Sequence, residues 1–212
     1  MDAKATVKVG PFSRGGKNRV PTYAADHVPA RGDGDPVGIF LPASDELFMS
    51  AVTSKVTSEC LVDRLVQWWA QVRPRFPQIT TLVINLDNGP ENHSRRTQFL
   101  YRMVQFAQTY GLTIRLAYYP PYHSKYNPIE RCWGILENHW NGALLDTVDV
   151  VRQFAESMTW KGLHPIVDLI TTTYTTGVKR TKEAMATLES QVTRLPQLEK
   201  WFVDIVPLEQ SG

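Results

Sequence analysis

One apolar segment near the middle of the chain does most to constrain the fold. Residues 80–87, Thr-Thr-Leu-Val-Ile-Asn-Leu-Asp, are rich in β-branched and apolar side chains, and Asn88-Gly89-Pro90 follows directly. This composition predicts a strand buried on both faces, of the kind that helices cover in α/β proteins. The segment therefore predicts an α/β fold. It also leaves Asp87 at the carboxyl end of the strand, where sheets of this class bind ligands.

The neighbouring segments predict the element order βββαβαβα, followed by a helical tail. Alternating or apolar runs predict strands, and apolar residues at helical spacing predict helices. Strands are expected at residues 3–9, 37–41, 47–52, 80–87 and 112–117, and helices at 58–73, 95–110, 128–144, 148–157 and 179–194. Residues 10–36 are rich in Gly, Pro, Arg and Asp and are expected to form a long connection.

Length and composition exclude several classes of protein. The chain has 212 residues, of which 42% are hydrophobic and 21% charged, as is typical of one ordered domain rather than a disordered chain. Its two cysteines cannot form a framework of several disulfides. No apolar run approaches the roughly 18 residues that a membrane span needs. We therefore expect a cytoplasmic protein that does not enter a membrane.

Positive charge is concentrated near the start of the chain. Residues 3–19 contain five basic residues and no acid, namely Lys4, Lys8, Arg14, Lys17 and Arg19. Two interpretations are about equally supported by these residues. The segment is either a basic arm that contacts phosphates or a solvated glycine-rich loop between strands.

Three carboxylates lie where metal chemistry is easily arranged. Asp2 opens the first strand, Asp87 ends the strand at 80–87, and Glu130 begins the helix at 128–144. Carboxylate oxygens suit Mg²⁺, and two such ions promote phosphoryl transfer. Each carboxylate can also be explained by a structural role without metal binding, and spacing alone favours that explanation. Asp87 then belongs to a turn, Glu130 to a helix-capping box, and Asp2 to a solvated chain end.

Two sequence blocks favour the metal-binding interpretation, because they resemble the signature of DDE transposases. The first is Leu86-Asp87-Asn88-Gly89-Pro90, and the second runs from Tyr118 to Trp133 and contains Pro-Pro-Tyr and Asn-Pro-Ile-Glu-Arg-Cys-Trp. The similarity is greatest to the bacterial insertion-sequence group related to mariner elements. It implies an RNase H-like fold at residues 1–145, with a mixed five-stranded sheet flanked by helices. Residues 146–212 would form a mainly helical C-terminal extension.

The resemblance also implies a site and its partners. Asp2, Asp87 and Glu130 would be the catalytic triad, binding two Mg²⁺ or Mn²⁺ ions. Transposon ends and target DNA would be the partners, and a homodimer in the transposition complex is compatible with the family. The side chains expected to contact DNA are Lys4, Arg14, Lys17, Arg19, Arg95, Arg96, His123, Lys125 and Arg131. The sequence departs from the pattern of this family in two ways. Asp87 and Glu130 are separated by 42 residues, which is more than is common in the family, and His123-Ser124-Lys125 replaces the usual Ser-Pro step.

Three functions remain open at this level. The first is a catalytic domain that cleaves and transfers DNA strands with the help of metal ions. The second is a non-catalytic remnant, because Met1 directly precedes Asp2 and no helix-turn-helix region is present, which suggests truncation at the N-terminus. The third is an RNase H-like nuclease, which would prefer RNA–DNA hybrids or branched DNA over transposon ends.

Overall fold

The computed structural model describes residues 1–24, 32–120, 123 and 126–208. These residues form five α-helices and nine β-strands. The strands are β1 Asp2–Ala3, β2 Val7–Val9, β3 Gly32–Leu41, β4 Glu46–Val52, β5 Thr81–Leu86, β6 Thr113–Tyr118, β7 Ile166–Ile170, β8 Val192–Arg194 and β9 Phe202–Ile205. The helices are α1 Ser58–Val72, α2 Thr97–Tyr110, α3 Pro128–His139, α4 Val148–Ser157 and α5 Lys182–Ala186. No helix in these ranges is long and apolar enough to cross a membrane.

The chain divides into two compact units. Unit 1 comprises residues 1–56 and 128–174, and unit 2 comprises residues 57–127 and 175–212. Each unit has its own sheet and its own helices. The predicted mixed α/β class is confirmed, and the fold is consistent with an RNase H-like protein. Both units include residues on each side of residue 145, so the domain boundary expected there stays a prediction.

Unit 1 is built around the long strand β3. Strands β1, β2 and β4 all pair with β3 in antiparallel fashion, and β7 pairs with β4 in parallel. Helices α3 and α4 pack against this sheet, where they bury an apolar cluster. The cluster includes Val7, Val9, Leu47, Met49, Ile129, Trp133, Leu136, Trp140 and Val151. The sheet and α3 together hold the segment that carries Asp2.

Unit 2 contains the strand that leads to Asp87. Strands β5 and β6 are parallel, and β9 and β8 extend the sheet with antiparallel pairing in the order β5-β6-β9-β8. Helix α1 begins at Thr57, whose side chain accepts a hydrogen bond from the Cys60 amide. Helix α2 ends at Gly111, in the left-handed conformation expected of a C-terminal cap. The two helices pack against each other.

The prediction that the strand at 80–87 is buried on both faces is wrong. Ile84 and Leu86 of β5 are buried, whereas Val83, which precedes them and faces the opposite side of the strand, is 55% exposed. The strand is therefore covered on one face within the chain. The prediction failed because β-branched side chains also fit a strand that is buried on one face only. Their abundance therefore does not indicate how many faces are covered.

Other elements differ from the predictions in extent. The strand expected at 3–9 is two short strands, β1 and β2, and the helix expected at 128–144 ends at His139. The C-terminal part contains strands β7, β8 and β9 in addition to helices. These strands have three to five residues, too few to show a clear alternation in the sequence.

Candidate active site

Asp2 is a buried carboxylate in unit 1. Its residue is only 4% exposed, and in β1 it pairs with Gly38 of β3. The indole Nε1 of Trp133, on α3, donates a hydrogen bond of 2.9 Å to Asp2 Oδ2. Burying a carboxylate is costly unless hydrogen bonds stabilise it. The contact therefore accounts for part of the stability of this buried charge.

Gly38 allows the Trp133 side chain to approach Asp2. A Cβ atom on Gly38 would lie 2.6 Å from Trp133 Cη2 and 2.7 Å from Ile129 Cδ1, well inside ordinary van der Waals contact. Only a residue without a side chain leaves room for the indole at this point of β3. The direct pairing partner of Asp2 is thus the residue over which the Trp133 ring lies.

Glu130 lies on the same helix as Trp133. It occupies the first turn of α3, where the helix dipole favours a negative charge. Residues three apart on a helix are neighbours on its surface, so Glu130 lies close to the side of α3 that carries Trp133. The side chain is partly exposed. In unit 1, α3 therefore presents one predicted triad residue and contacts another.

Asp87 directly follows β5 in unit 2 and is partly exposed. Asn92 Nδ2 donates a hydrogen bond of 2.7 Å to Asp87 Oδ1. The other carboxylate oxygen, Oδ2, lies over Gly89, where an added Cβ would be only 2.9 Å away. The absence of a side chain at Gly89 thus leaves space for this carboxylate, whereas at Gly38 it leaves space for the Trp133 ring.

Asn92 is itself fixed by its surroundings. It is 4% exposed, and the hydroxyl of Tyr118 donates a hydrogen bond of 2.8 Å to its backbone oxygen. Burial raises the pKa of the Tyr118 phenol. Arg194 opposes this shift and the charge of Asp87 adds to it, so the phenol keeps its proton and remains a donor. Arg194 Nη2 also donates to Ser94 O at 2.5 Å. The segment after Asp87 is thus attached to β6 and β8.

Three of the basic residues predicted to contact DNA bind other groups of the same chain. Lys4 forms an ion pair with Glu137, and Arg14 donates to the backbone oxygen of Lys8. Arg96 pairs with Glu91 at 3.0 Å. Burial lowers the pKa of Arg14, an effect that Glu137 opposes. These cations stabilise local structure, which the sequence alone does not reveal.

Most other predicted DNA contacts are exposed. This group consists of Lys17, Arg19, Arg95, His123 and Arg131. The His123 ring stacks on that of Tyr126 with 5.8 Å between centroids. Lys125 lies outside the described residues. Exposed cations are common on protein surfaces, so their role in DNA binding stays a prediction.

The donor chemistry of the predicted triad fits a hard divalent cation. Asp2, Asp87 and Glu130 offer oxygen ligands, which Mg²⁺ and Mn²⁺ prefer. Asp2 and Glu130 belong to unit 1 and Asp87 to unit 2. Within the described ranges, no group of three or more His, Cys, Asp or Glu side chains could hold one metal ion. The assignment of the triad as a metal site therefore stays a prediction.

Two residues at the site were not singled out for it from the sequence. Trp133 has the helical spacing of a core residue and is 4% exposed, but its N–H also contacts Asp2. Asn92 carried no functional expectation. Its place five residues after Asp87, across an Asn-Gly-Pro turn, is a usable signal, because short turns return a side chain to the residue that precedes them.

A model of a known protein family matches most of the chain. Residues 1–207 match the family model described as the Rhodopirellula transposase DDE domain. No curated protein and no solved structure matches the chain. The relation to mariner elements stays a prediction. Because the match extends over nearly the whole sequence, the chain belongs to this family of transposase DDE domains.

Proposed function

We propose that the chain is the catalytic domain of a transposase that cleaves DNA strands at transposon ends and joins them to target DNA. The observation that carries this proposal is the contact between Trp133 and the buried Asp2, because it stabilises a charge that packing alone would disfavour. The helix that makes the contact also carries Glu130. Membership of the transposase DDE domain family supports the same conclusion.

In this proposal Asp2, Asp87 and Glu130 hold two Mg²⁺ or Mn²⁺ ions. Such ions, when bound, activate water and stabilise the leaving 3′-oxygen during phosphoryl transfer. The chain itself supplies three negative charges on ordered backbone. The first is in a strand, the second follows a strand and the third lies in the first turn of a helix. Ordered elements hold catalytic groups more precisely than loops do.

DNA would be bound by exposed cations that form no ion pair among the described residues. Lys17, Arg19, Arg95 and Arg131 are exposed, whereas Lys4, Arg14 and Arg96 are engaged internally. Contacts from Lys and Arg to phosphates supply most of the affinity in binding that does not depend on sequence. We therefore assign the first group, rather than the second, to the DNA-contacting surface.

The test is strand cleavage by the full chain, using a plasmid that carries the DNA flanking its gene. Asp87→Asn keeps the shape of the side chain and removes its charge, so we expect nicking with Mg²⁺ or Mn²⁺ to fall by at least about 100-fold. Asp168→Asn, at an exposed position of β7, is the matched control and should cleave normally. Cleavage retained by Asp87→Asn, or absent from the unmodified chain, would contradict the proposal.

A further inference from the structure

The two aspartates of the proposed triad share a pattern of contacts. In unit 1, Trp133 donates to one oxygen of Asp2, and in unit 2, Asn92 donates to one oxygen of Asp87. Both donors are buried, at 4% exposure each. A glycine lies close to each pair, although a Cβ would clash with the Trp133 ring at Gly38 and with the carboxylate of Asp87 at Gly89. A buried neutral donor thus contacts an aspartate twice, on unrelated secondary structure.

Both donors are electrically neutral, which matters for a carboxylate that binds a cation. A cationic donor, such as Arg96 on Glu91 or Arg115 on Asp204, would add a positive charge beside the carboxylate. An indole or amide N–H instead orients the carboxylate without adding a positive charge of its own.

The orientation of the Asn92 amide follows from the same contact. Its Nδ2 must face Asp87 Oδ1, because two oxygens at 2.7 Å would repel each other. The Tyr118 hydroxyl fixes the backbone of Asn92 on the other side. The donor therefore has little freedom to turn away from Asp87.

We propose that Trp133 and Asn92 are positioning residues, which orient Asp2 and Asp87 for divalent-metal binding without neutralising them. This inference rests on the proposed function, since it assumes that these aspartates are metal ligands. Partners that hydrogen-bond to metal ligands typically contribute about 10–100-fold to metal affinity. Loss of either N–H should therefore weaken metal binding while the ligands themselves remain.

The first experiment measures Mn²⁺ binding to the full chain in the absence of DNA. Trp133→Phe keeps an aromatic ring and removes the N–H, and Asn92→Leu keeps the approximate shape and removes the amide. We expect each variant to raise the dissociation constant for Mn²⁺ by about 10–100-fold. Asp87→Asn serves as the reference, because it should abolish binding at the proposed site.

Matched controls separate positioning from general damage. Trp140 directly follows α3, is fully buried and donates to Glu137 Oε2 at 2.7 Å, so Trp140→Phe removes a similar bond elsewhere. Gln98 is 2% exposed and donates to Glu59, so Gln98→Met is the control for Asn92. The controls should lose similar stability in urea and keep the Mn²⁺ affinity of the unmodified chain.

A second measurement does not depend on Mn²⁺ affinity. In the chain labelled with ¹⁵N-tryptophan, the indole resonance missing from Trp133→Phe should shift on addition of Mg²⁺, whereas the one missing from Trp140→Phe should not. If Trp133→Phe does not fold, the Asn92→Leu comparison decides the matter. Normal Mn²⁺ affinity in both variants, with binding lost in Asp87→Asn, would overturn this inference alone. Normal binding in Asp87→Asn would instead overturn the proposed function.

Discussion

Substitution of Gly38 by alanine tests the packing that brings Trp133 to Asp2. The new Cβ would start 2.6 Å from Trp133 Cη2, whereas ordinary contact begins at 3.4 Å. The ring cannot easily retreat, because its N–H is hydrogen-bonded to Asp2 and Ile129 lies 2.7 Å from the same point. Overpacking of this kind costs about 1–3 kcal/mol. For a chain of this length, we expect the thermal midpoint to fall by about 2–4 °C for each kcal/mol.

The matched control for Gly38→Ala is the same substitution on α3. Gly134 is exposed within the helix, and a Cβ there would have no atom within 4 Å. Alanine is a better helix former than glycine by about 0.5–1 kcal/mol, so Gly134→Ala should raise the midpoint. Circular dichroism during heating measures both variants. If Gly38→Ala melted at or above the temperature of the unmodified chain, the close approach of Trp133 to Gly38 would be refuted.

Two further predictions concern charge. The Arg115 side chain, by hydrogen bonding to Asp204, lowers the pKa of that carboxyl from its usual 3.8. A depressed carboxyl pKa stabilises the fold above about pH 4, and the effect disappears as the pH falls through the lowered value. Arg115→Gln should therefore lower the urea midpoint at pH 7 but not near pH 2, and equal losses at both would contradict this. Replacing Lys17 and Arg19 with glutamine should reduce the salt dependence of DNA binding by about two phosphate contacts, whereas the same changes at Lys179 and Lys182 should not.

Elements with strong local signals could be predicted from the sequence. The predicted end of α2 at residue 110, before Gly111, and the predicted start of α3 at Pro128 are confirmed, because glycine and proline act on the backbone locally. Strands β7, β8 and β9 could not be predicted, since their formation depends on partners distant in sequence. β9 pairs with β6, nearly 90 residues earlier, and β7 pairs with β4. Pairing of this kind is determined by the whole fold and not by the three to five residues of the strand.

The same limit applies to charged residues at the candidate site. The sequence grouped Lys4 and Arg14 with Lys17 and Arg19 because all four lie in one basic segment. The structure separates them, since Lys4 contacts Glu137, which is 133 residues away, and Arg14 contacts the backbone of Lys8. Cations that bind other groups of the same chain must therefore be left out when the charge available for DNA binding is counted.

Helix α3 shows why apolar spacing is an incomplete guide to function. Ile129, Trp133 and Leu136 of α3, with Trp140 directly after it, repeat at helical spacing, and all four are buried. Spacing accounts for the buried area, but a buried indole must also find an acceptor for its N–H. The acceptor for Trp140 is Glu137, whose charge Lys4 balances, whereas the acceptor for Trp133 is Asp2. Two tryptophans with one packing role thus have different electrostatic roles, and the difference follows from which carboxylate each N–H contacts.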